Sequence, residues 1–408
     1  MTRTDEFPRV RLQPTALAIC MSILSACSSF DHRSAVPEKE KHDATVLGIP
    51  NARLYHDQVA EITYELEESL IREGRALGVK PGGVLPTGYY LSLSGGGDNG
   101  AFGAGLLSGW TAHGDRPMFK IVTGVSTGAL IAPFAFLGPD YDGALTDVYT
   151  NIEPSNIYEE RFLPTAALTE DALSDSTPLY ETISRYIDEK MFAKIAVEYA
   201  KGRLLFIQTT NLDAGQPVRW NIGAIAASGR PGALDLFRHI LLASAAIPAA
   251  FPPVMFDVDV NGKSYQELHV DGGAVSQAFL LPPTVDLQEV RKEAGYHRKS
   301  AIAYFIRNSR LRTEYSDVDR LTLPIAGKAV STMINYNGIG DLYRMYVVTQ
   351  RDGVGFNLAY IDDAFRAEHK VDFDQTYMRA LFRYAYEKAA GGYGWEHEPP
   401  GLATRKRH

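Results

Sequence analysis

Two glycine-containing turns, each between a strand-like run and a helix-like run, constrain the fold of this chain most strongly. The first is SGGGDNG, residues 94–100, which follows the apolar run YYLSL and precedes a run of small residues. The second is GVSTG, residues 124–128, which follows KIVT and precedes ALIAPFAF. This repeated order of strand, turn and helix predicts an α/β fold with a parallel sheet.

The first turn is rich enough in glycine to present backbone N–H groups to a negative charge. Gly95, Gly97 and Gly100 have the G-x-G-x-x-G spacing of dinucleotide-binding loops, but no acidic residue follows the next strand to bind a ribose. The lysine of a P-loop is also absent. A plain turn in which Asp98 caps the following helix is the alternative, and it leaves the three consecutive glycines, Gly95 to Gly97, unexplained.

The second turn has the pattern of a nucleophile elbow. Gly124 and Gly128 flank Ser126, and such a turn leaves the serine hydroxyl exposed at the carboxyl end of a strand. One helix and one strand separate it from the glycine turn, so a right-handed crossover brings both turns to the same sheet edge. N–H donors beside a nucleophile form the geometry of acyl transfer.

A serine nucleophile also requires a general base. Asp271 lies in VDGG, residues 270–273, where an apolar strand ends in a tight turn made by Gly272 and Gly273. An Asp-Gly turn without chemical function is the alternative, and the two other motifs favour the base. Six histidines follow Ser126, none in a comparable motif: His239, His269, His297, His369, His397 and His408.

These motifs, together with ASAAIPAAFPPV at residues 243–254, resemble those of the patatin-like phospholipases over residues 91–284. The resemblance implies a three-layer α/β/α fold with a central, mostly parallel sheet. It also implies a Ser126–Asp271 dyad acting through an acyl-enzyme on a lipid ester or phospholipid, without metal or cofactor. The oxyanion hole would comprise the N–H groups of Gly95, Gly96, Gly97 and Asp98.

One position departs from the family pattern. The family usually has Arg or Lys where this chain has Asn99, which brings no charge. This departure motivates a second hypothesis, that the chain is a catalytically weak or inactive lipoprotein that binds lipid or a partner. A secreted phospholipase effector is a third hypothesis.

The N-terminal residues have the pattern of a targeting segment. Three arginines precede the short apolar run TALAICMSILSA, residues 15–26, and LSAC at residues 24–27 resembles a bacterial lipobox. We therefore predict a signal peptide at 1–26, lipidation of Cys27 and a tether over 27–54. Ser28 favours the outer membrane, facing the periplasm. The alternative is an ordinary secretory signal with an incidental cysteine.

The remaining composition excludes several functional classes. The net charge of −8 provides no basic surface for nucleic acid. The two cysteines, Cys20 and Cys27, both precede the folded body, which therefore contains no disulfide or cysteine metal site. We predict an N-terminal helical segment over 55–88, the catalytic domain over 91–284, and a C-terminal completion of that domain by helices and strands over 285–408.

Overall fold

The computed structural model describes residues 33–157, 159–160, 174–312 and 317–402. The chain divides into two units after Ala35, and the architecture given below is that of the second unit, Val36–His408. The predicted signal peptide and Cys27 lie outside the described residues. In the ranges described, none of the helices combines the length and the apolar character that crossing a membrane would require.

Strands and helices alternate along most of the chain. The strands are β1 Arg53–Tyr55, β2 Val84–Leu85, β3 Gly88–Leu93, β4 Ile121–Val125, β5 Glu159–Glu160, β6 Ser174–Asp175, β7 Leu204–Asn211, β8 Gln216–Asn221, β9 Val254–Val260, β10 Lys263–Asp271, β11 His297–Arg298, β12 Ala301–Arg307 and β13 Val354–Tyr360.

The α-helices of the described residues cover the sheet and extend beyond it. They are α1 Val59–Leu77, α2 Gly100–His113, α3 Thr127–Leu137, α4 Asp142–Asn151, α5 Thr177–Tyr186, α6 Glu189–Ala200, α7 Ile222–Ala227, α8 Ala233–Ser244, α9 Leu287–Glu293, α10 Thr322–Arg351 and α11 Gln375–Ala390.

One nine-stranded sheet organises the unit. Its order is β1-β8-β7-β4-β3-β12-β13, and the hairpin β9–β10 joins it through β7. The consecutive strands β7, β4, β3, β12 and β13 are parallel, whereas β8 and β10 are antiparallel to β7. The predicted α/β fold with a mostly parallel central sheet flanked by helices is confirmed.

The pairing of β7 determines where the two predicted catalytic residues lie. Val125, the last residue of β4, pairs with Gln208 on β7. Beyond the end of β4, the same edge of β7 pairs with β10, and Asp271 is opposite Thr209. Ser126 follows Val125 directly, so the register places the serine and the aspartate side by side although 145 positions separate them in sequence.

Small residues allow helix α2 to lie very close to helix α11. A Cβ atom at Gly105 would lie 2.9 Å from the Cα of Phe382, and one at Gly109 would lie 2.8 Å from the Cα of Tyr386. Any larger side chain at either position would push the helices apart. The helix that begins at the glycine turn is therefore held by the C-terminal part of the chain.

The structure corrects the predicted end of the N-terminal tether. We expected residues 27–54 to form a polar tether, but β1 pairs with β8, and Thr45 bridges to Asp259. Alanine and aliphatic side chains in this stretch are buried in the core: Ala44, Val46, Ile49, Ala52 and Leu54. These residues are spaced too irregularly to resemble a helix or a strand, yet each fills a site on the folded body.

Candidate active site

The turn between β4 and α3 holds Ser126 in a strained backbone conformation. Its φ of 55° and ψ of −128° are rare for a residue with a side chain. The flanking glycines are required by close packing, because a Cβ at Gly124 would lie 2.7 Å from the Cα of Ala129. A Cβ at Gly128 would lie 2.6 Å from the carbonyl oxygen of Ser94. This is the tight strand-to-helix turn that the motif predicts.

A buried serine from another helix fixes this turn. The Ser126 N–H donates to Ser244 Oγ at 3.0 Å, and the Ser244 hydroxyl donates to the carbonyl oxygen of Gln208 at 2.7 Å. Ser244 thus connects the turn to β7, the strand that also carries β10. Ser244 was not predicted from the sequence, where it is simply the last residue of helix α8.

Asp271 is a buried carboxylate with few partners. Its Oδ1 accepts from the Gly273 N–H at 2.6 Å, and its own N–H donates to the carbonyl oxygen of Ala246 at 2.8 Å. Burial raises the pKa of Asp271 to about 7, against the opposing effects of the Ser126 hydroxyl and the Gly273 N–H. Such a pKa suits a general base that works near neutral pH.

The glycine turn lies directly over the serine. A Cβ at Gly95 would be 3.2 Å from the Cβ of Ser126, which shows how closely the two turns approach. A short 3-10 helix, Gly97–Asn99, begins here, and Gly97 has a φ of 59°, a conformation that favours glycine. The two turns therefore meet at the same sheet edge, as their spacing predicts.

Three of the four N–H groups predicted for an oxyanion hole are available. Among the described residues, none accepts a hydrogen bond from the N–H of Gly96, Gly97 or Asp98. The fourth prediction requires correction, because the Gly95 N–H already donates to the carbonyl oxygen of Gln277 at 2.9 Å. Gly95 instead anchors the turn to the segment that follows Asp271.

The other predicted motif glycines stand where a side chain would collide with the site. A Cβ at Gly100 would lie 2.6 Å from the ring of Tyr149, and one at Gly272 would lie 2.5 Å from the carbonyl oxygen of Gln208. A Cβ at Gly273 would lie 2.9 Å from Asp271 Oδ1. Glycine at these three positions therefore allows the start of helix α2 and the Asp271 carboxylate to lie as close to their neighbours as they do.

The side chain of Asp98 points away from its own N–H group. Asp98 Oδ2 accepts from His369 Nε2 at 2.6 Å and from the Phe373 N–H at 2.9 Å. Asp98 makes no capping bond to helix α2, so the alternative of a plain turn in which Asp98 caps this helix is wrong. The neighbouring Asn99 accepts a hydrogen bond from the Tyr377 hydroxyl at 2.6 Å. The C-terminal part of the chain thus holds the negative charge of Asp98 away from the three N–H groups.

A second set of contacts from beyond residue 284 fixes the start of the turn. Asn308 follows β12; its N–H donates to Ser94 Oγ, and its Nδ2 donates to the Ser94 carbonyl oxygen, both at 2.8 Å. Its Oδ1 accepts from the Gly103 N–H at 3.0 Å. A polar residue directly after a buried parallel strand is a sequence signal for such a role. His369, in contrast, has no such signal.

A narrow apolar cavity of about 60 Å³ opens beside the glycine turn. Gly97, Asp98 and Thr127 line it. Its other walls are mostly aliphatic and aromatic side chains, many from helices α3, α4 and α5, and include Leu241 and Met378. The region 138–200, which the sequence left without an assigned structure, therefore supplies much of this wall. A hydrocarbon chain is the chemical group that fits such walls.

A wide polar cleft of about 710 Å³ also borders the glycine turn. Gly96, Asn99 and Gln277 line it, together with residues of helix α10 and of the end of β12. Residues of the glycine turn thus line both an apolar cavity and a polar cleft. In the ranges that the structure describes, no group of three or more His, Cys, Asp or Glu residues is placed to hold a metal ion.

Comparison with known proteins gives a family for the part of the chain that carries these residues. Residues 91–283 match the family model of patatin-like phospholipases. A patatin-like domain implies, in general terms, a lipid acyl hydrolase. No curated protein matches the sequence significantly. Among solved structures, the chain is similar to VipD from Legionella pneumophila, with a TM-score of 0.33 and 11% identity. That alignment covers 75% of this chain and 66% of VipD, just under two thirds of its length.

Proposed function

We propose that the protein is a serine acyl hydrolase that cleaves lipid esters through an acyl-enzyme. The observation that carries this proposal is the strained Ser126 beside a buried Asp271 whose pKa is about 7. In addition, three N–H groups that find no acceptor among the described residues stand next to this pair. Nucleophile, base and oxyanion donors at one point form the set that acyl transfer requires.

The steps follow from these positions. Ser126 Oγ attacks the ester carbonyl carbon while its proton passes to Asp271, and the N–H groups of Gly96, Gly97 and Asp98 stabilise the negative oxygen. The intermediate expels the alcohol, which takes the proton from Asp271 and leaves an acyl-serine. Water then attacks the acyl-serine and gives a proton to Asp271. The proton returns to Ser126 as the fatty acid leaves.

The apolar cavity supports a lipid substrate. Gly97 and Thr127 line it, close to Ser126 in the chain. Among its described lining residues the one charged side chain is Asp98, whose carboxylate is already bound by His369. The acyl chain of the substrate would lie there, so that its ester carbonyl faces the N–H groups. Burial of each methylene contributes about 0.8 kcal/mol, which favours long acyl chains over acetate.

A fluorophosphonate probe tests the proposal directly, because it reacts only with an activated serine. The wild-type protein should be labelled, Ser126→Ala should not be labelled, and Asp271→Asn should be labelled slowly. Ser108→Ala is the matched control and should label normally, because the Ser108 hydroxyl donates to the carbonyl oxygen of Ala104 in its own helix α2. A folded wild type that stays unlabelled would favour the inactive lipid-binding hypothesis.

His369 should act as a positioning residue for the glycine turn. Without its bond to Asp98, the carboxylate can turn toward the N–H groups and oppose a developing oxyanion. We expect His369→Ala to lower kcat about tenfold with little change in KM, the size of effect that one charge-assisted hydrogen bond can have. His369→Gln, which keeps an N–H donor, should recover part of this loss. Equal effects on kcat and KM in both variants would contradict the proposal.

We also propose that Cys27 carries a lipid that anchors the protein to the bacterial outer membrane, facing the periplasm. The lipobox-like LSAC at residues 24–27 supports this location. Cells fed a radioactive fatty acid should yield labelled protein, and Cys27→Ala should remove the label. Cys20→Ala should remain labelled, because Cys20 lies inside the segment to be cleaved. Label that persists in Cys27→Ala would refute the anchor.

A further inference from the structure

Gln277 is a buried residue that lines the polar cleft, with 8% of its surface exposed. Its main chain is bonded on both sides. The N–H donates to Asp341 Oδ2 at 2.7 Å, and the carbonyl oxygen accepts from the Gly95 N–H at 2.9 Å. The side-chain amide, in contrast, makes no hydrogen bond to the residues that the structure describes. This amide is therefore able to bind a molecule that enters the cleft.

The amide of Gln277 lies beside both catalytic residues. A Cβ atom at Gly95 would be 2.5 Å from Gln277 Oε1 and 3.2 Å from the Cβ of Ser126. A Cβ atom at Gly273 would be 2.3 Å from Gln277 Nε2 and 2.9 Å from Asp271 Oδ1. The last two distances start from the same point. Nε2 and Oδ1 are therefore close enough to form hydrogen bonds to one oxygen atom placed between them.

Packing limits the movement of the Gln277 side chain. Gly338, on helix α10, lies against its first two carbons: a Cβ atom there would be 3.0 Å from Gln277 Cβ and 3.1 Å from Gln277 Cγ. The two main-chain hydrogen bonds fix the other side of the residue. An amide that is held in this way needs little rearrangement to bind a reacting atom, which is the condition for effective electrostatic stabilisation in a reaction.

Expulsion of the alcohol is the step that requires a donor at this place. The bond between the carbonyl carbon and the alcohol oxygen breaks, its electron pair stays on that oxygen, and the oxygen takes the proton from Asp271. The alcohol oxygen must therefore lie within hydrogen-bond distance of the Asp271 carboxyl group. Negative charge develops on it before the proton arrives. The N–H groups of the glycine turn bind the carbonyl oxygen, so the alcohol oxygen needs a donor of its own.

We propose that Gln277 is a further catalytic residue, whose Nε2 donates a hydrogen bond to the oxygen of the leaving alcohol. The inference rests on the proposed acyl hydrolase function and assigns the alcohol part of the ester to the polar cleft. The acyl chain lies in the apolar cavity, on the other side of the ester group. In the second half of the reaction, the oxygen of the attacking water takes the place of the alcohol oxygen. It gives its proton to Asp271 and accepts the same hydrogen bond.

The test compares benzyl butyrate with p-nitrophenyl butyrate, which share the acyl group and differ in the leaving alcohol. p-Nitrophenolate departs without assistance, whereas benzyl alcohol departs only when its oxygen is stabilised and protonated. The ratio of kcat/KM for the benzyl ester to kcat/KM for the p-nitrophenyl ester should fall about tenfold in Gln277→Met. This is the effect expected when one hydrogen bond to a charged oxygen is lost. Gln350→Met, at an exposed glutamine of helix α10 outside the cleft, is the matched control and should leave the ratio unchanged.

Two outcomes would overturn the proposal: an unchanged ratio in Gln277→Met, or an equal fall in Gln350→Met. A residue that only supports the packing of the site would lower both rates alike and leave the ratio unchanged. Slow hydrolysis of the acyl-serine does not disturb the comparison, because kcat/KM includes only the steps up to release of the alcohol.

Gln277→Glu tests the same role if Gln277→Met does not fold. Glutamate has the shape of glutamine, but its ionised carboxylate donates no hydrogen bond, so the ratio measured at pH 9 should also fall about tenfold. A second carboxylate beside Asp271 should move the midpoint of the pH profile for p-nitrophenyl butyrate upward by about one pH unit, because like charges raise the pKa. An unchanged ratio or an unmoved midpoint in this variant would overturn the proposal.

Failure of the proposed function itself would be recognised separately. If the wild type cleaves neither ester and the fluorophosphonate does not label Ser126, the acyl hydrolase function is wrong, and the role of Gln277 is wrong with it. If the wild type cleaves both esters and the ratio does not depend on Gln277, the hydrolase function stands and only the role at the leaving oxygen is refuted. Cleavage of the p-nitrophenyl ester alone would also refute that role, because a poor leaving group then receives no assistance.

Discussion

Ester hydrolysis should fall by about four orders of magnitude in Ser126→Ala, and Asp271→Asn should lose nearly as much. The first variant removes the attacking oxygen, and the second keeps the shape of the side chain but removes the base. Because both residues act in the same step, the double variant should be no slower than Ser126→Ala. The measurement is kcat/KM for p-nitrophenyl butyrate at pH 8. A double variant whose loss equals the product of the single losses would contradict a shared role.

The same dyad predicts the pH dependence of the wild type. Asp271 accepts a proton only when it is ionised, and burial raises its pKa to about 7. Activity should therefore rise with pH, reach half of its maximum near pH 7 and level off above it. A midpoint near pH 4 would show that Asp271 behaves as an exposed carboxyl group.

Stability measurements distinguish the loss of activity in Asp271→Asn from a loss caused by unfolding. The folded-state pKa of Asp271 lies above its ordinary value of 3.8, so its stabilising contribution is complete below pH 3.8 and is lost as the pH rises to about 7. The difference between the two values corresponds to roughly 4 kcal/mol. Asp271→Asn should therefore have a higher free energy of unfolding than the wild type at pH 8, by up to about that amount. Near pH 4 the two should be similar.

Gly128→Ala should strongly destabilise the protein. The new Cβ would lie 2.6 Å from the carbonyl carbon of Leu93 and from the carbonyl oxygen of Ser94. Both atoms belong to the backbone between β3 and the glycine turn, so neither can rotate away. We expect a loss of about 3 kcal/mol in the free energy of unfolding, measured by urea denaturation, together with loss of fluorophosphonate labelling.

A matched control comes from the neighbouring helix. Gly143 lies in α4, and a Cβ there would have no other atom within 4 Å. Gly143→Ala should raise the free energy of unfolding slightly, by about 0.5–1 kcal/mol, because alanine favours helix. If Gly128→Ala were as stable as Gly143→Ala, the packing argument for the nucleophile turn would be wrong.

The sequence predicted those parts of the site that depend on local geometry. The single turn GVSTG predicts the positions of Gly124, Ser126 and Gly128. The two successive strand–turn–helix units predict the parallel sheet. Asp271 was recognised as the end of a strand. That strand, β10, lies beyond the end of β4 because it pairs antiparallel with β7, and this pairing brings Asp271 to Ser126. The local sequence contains no signal for the pairing.

The parts that sequence reasoning missed depend on distant chain segments. Gly95 was grouped with its neighbours because nothing in SGGGDNG shows that its N–H donates to Gln277. His369 was set aside because it lies in no motif comparable to that of Asp271, and only the tertiary structure brings it to Asp98. Strand β8 was not among the predicted elements, although it pairs with β7 along six residues.

The position of β12 determines where the chain can be cut to give a fragment that keeps the catalytic site. The family match ends at residue 283, yet β12 pairs with β3 over six residues, and Asn308 holds the turn above Ser126. A fragment cut at residue 283 would leave β3 as an open edge whose unpaired amides and carbonyls invite aggregation. The transplantable unit for engineering or fragment expression is therefore not the segment shared with relatives. It must retain the C-terminal third of the chain.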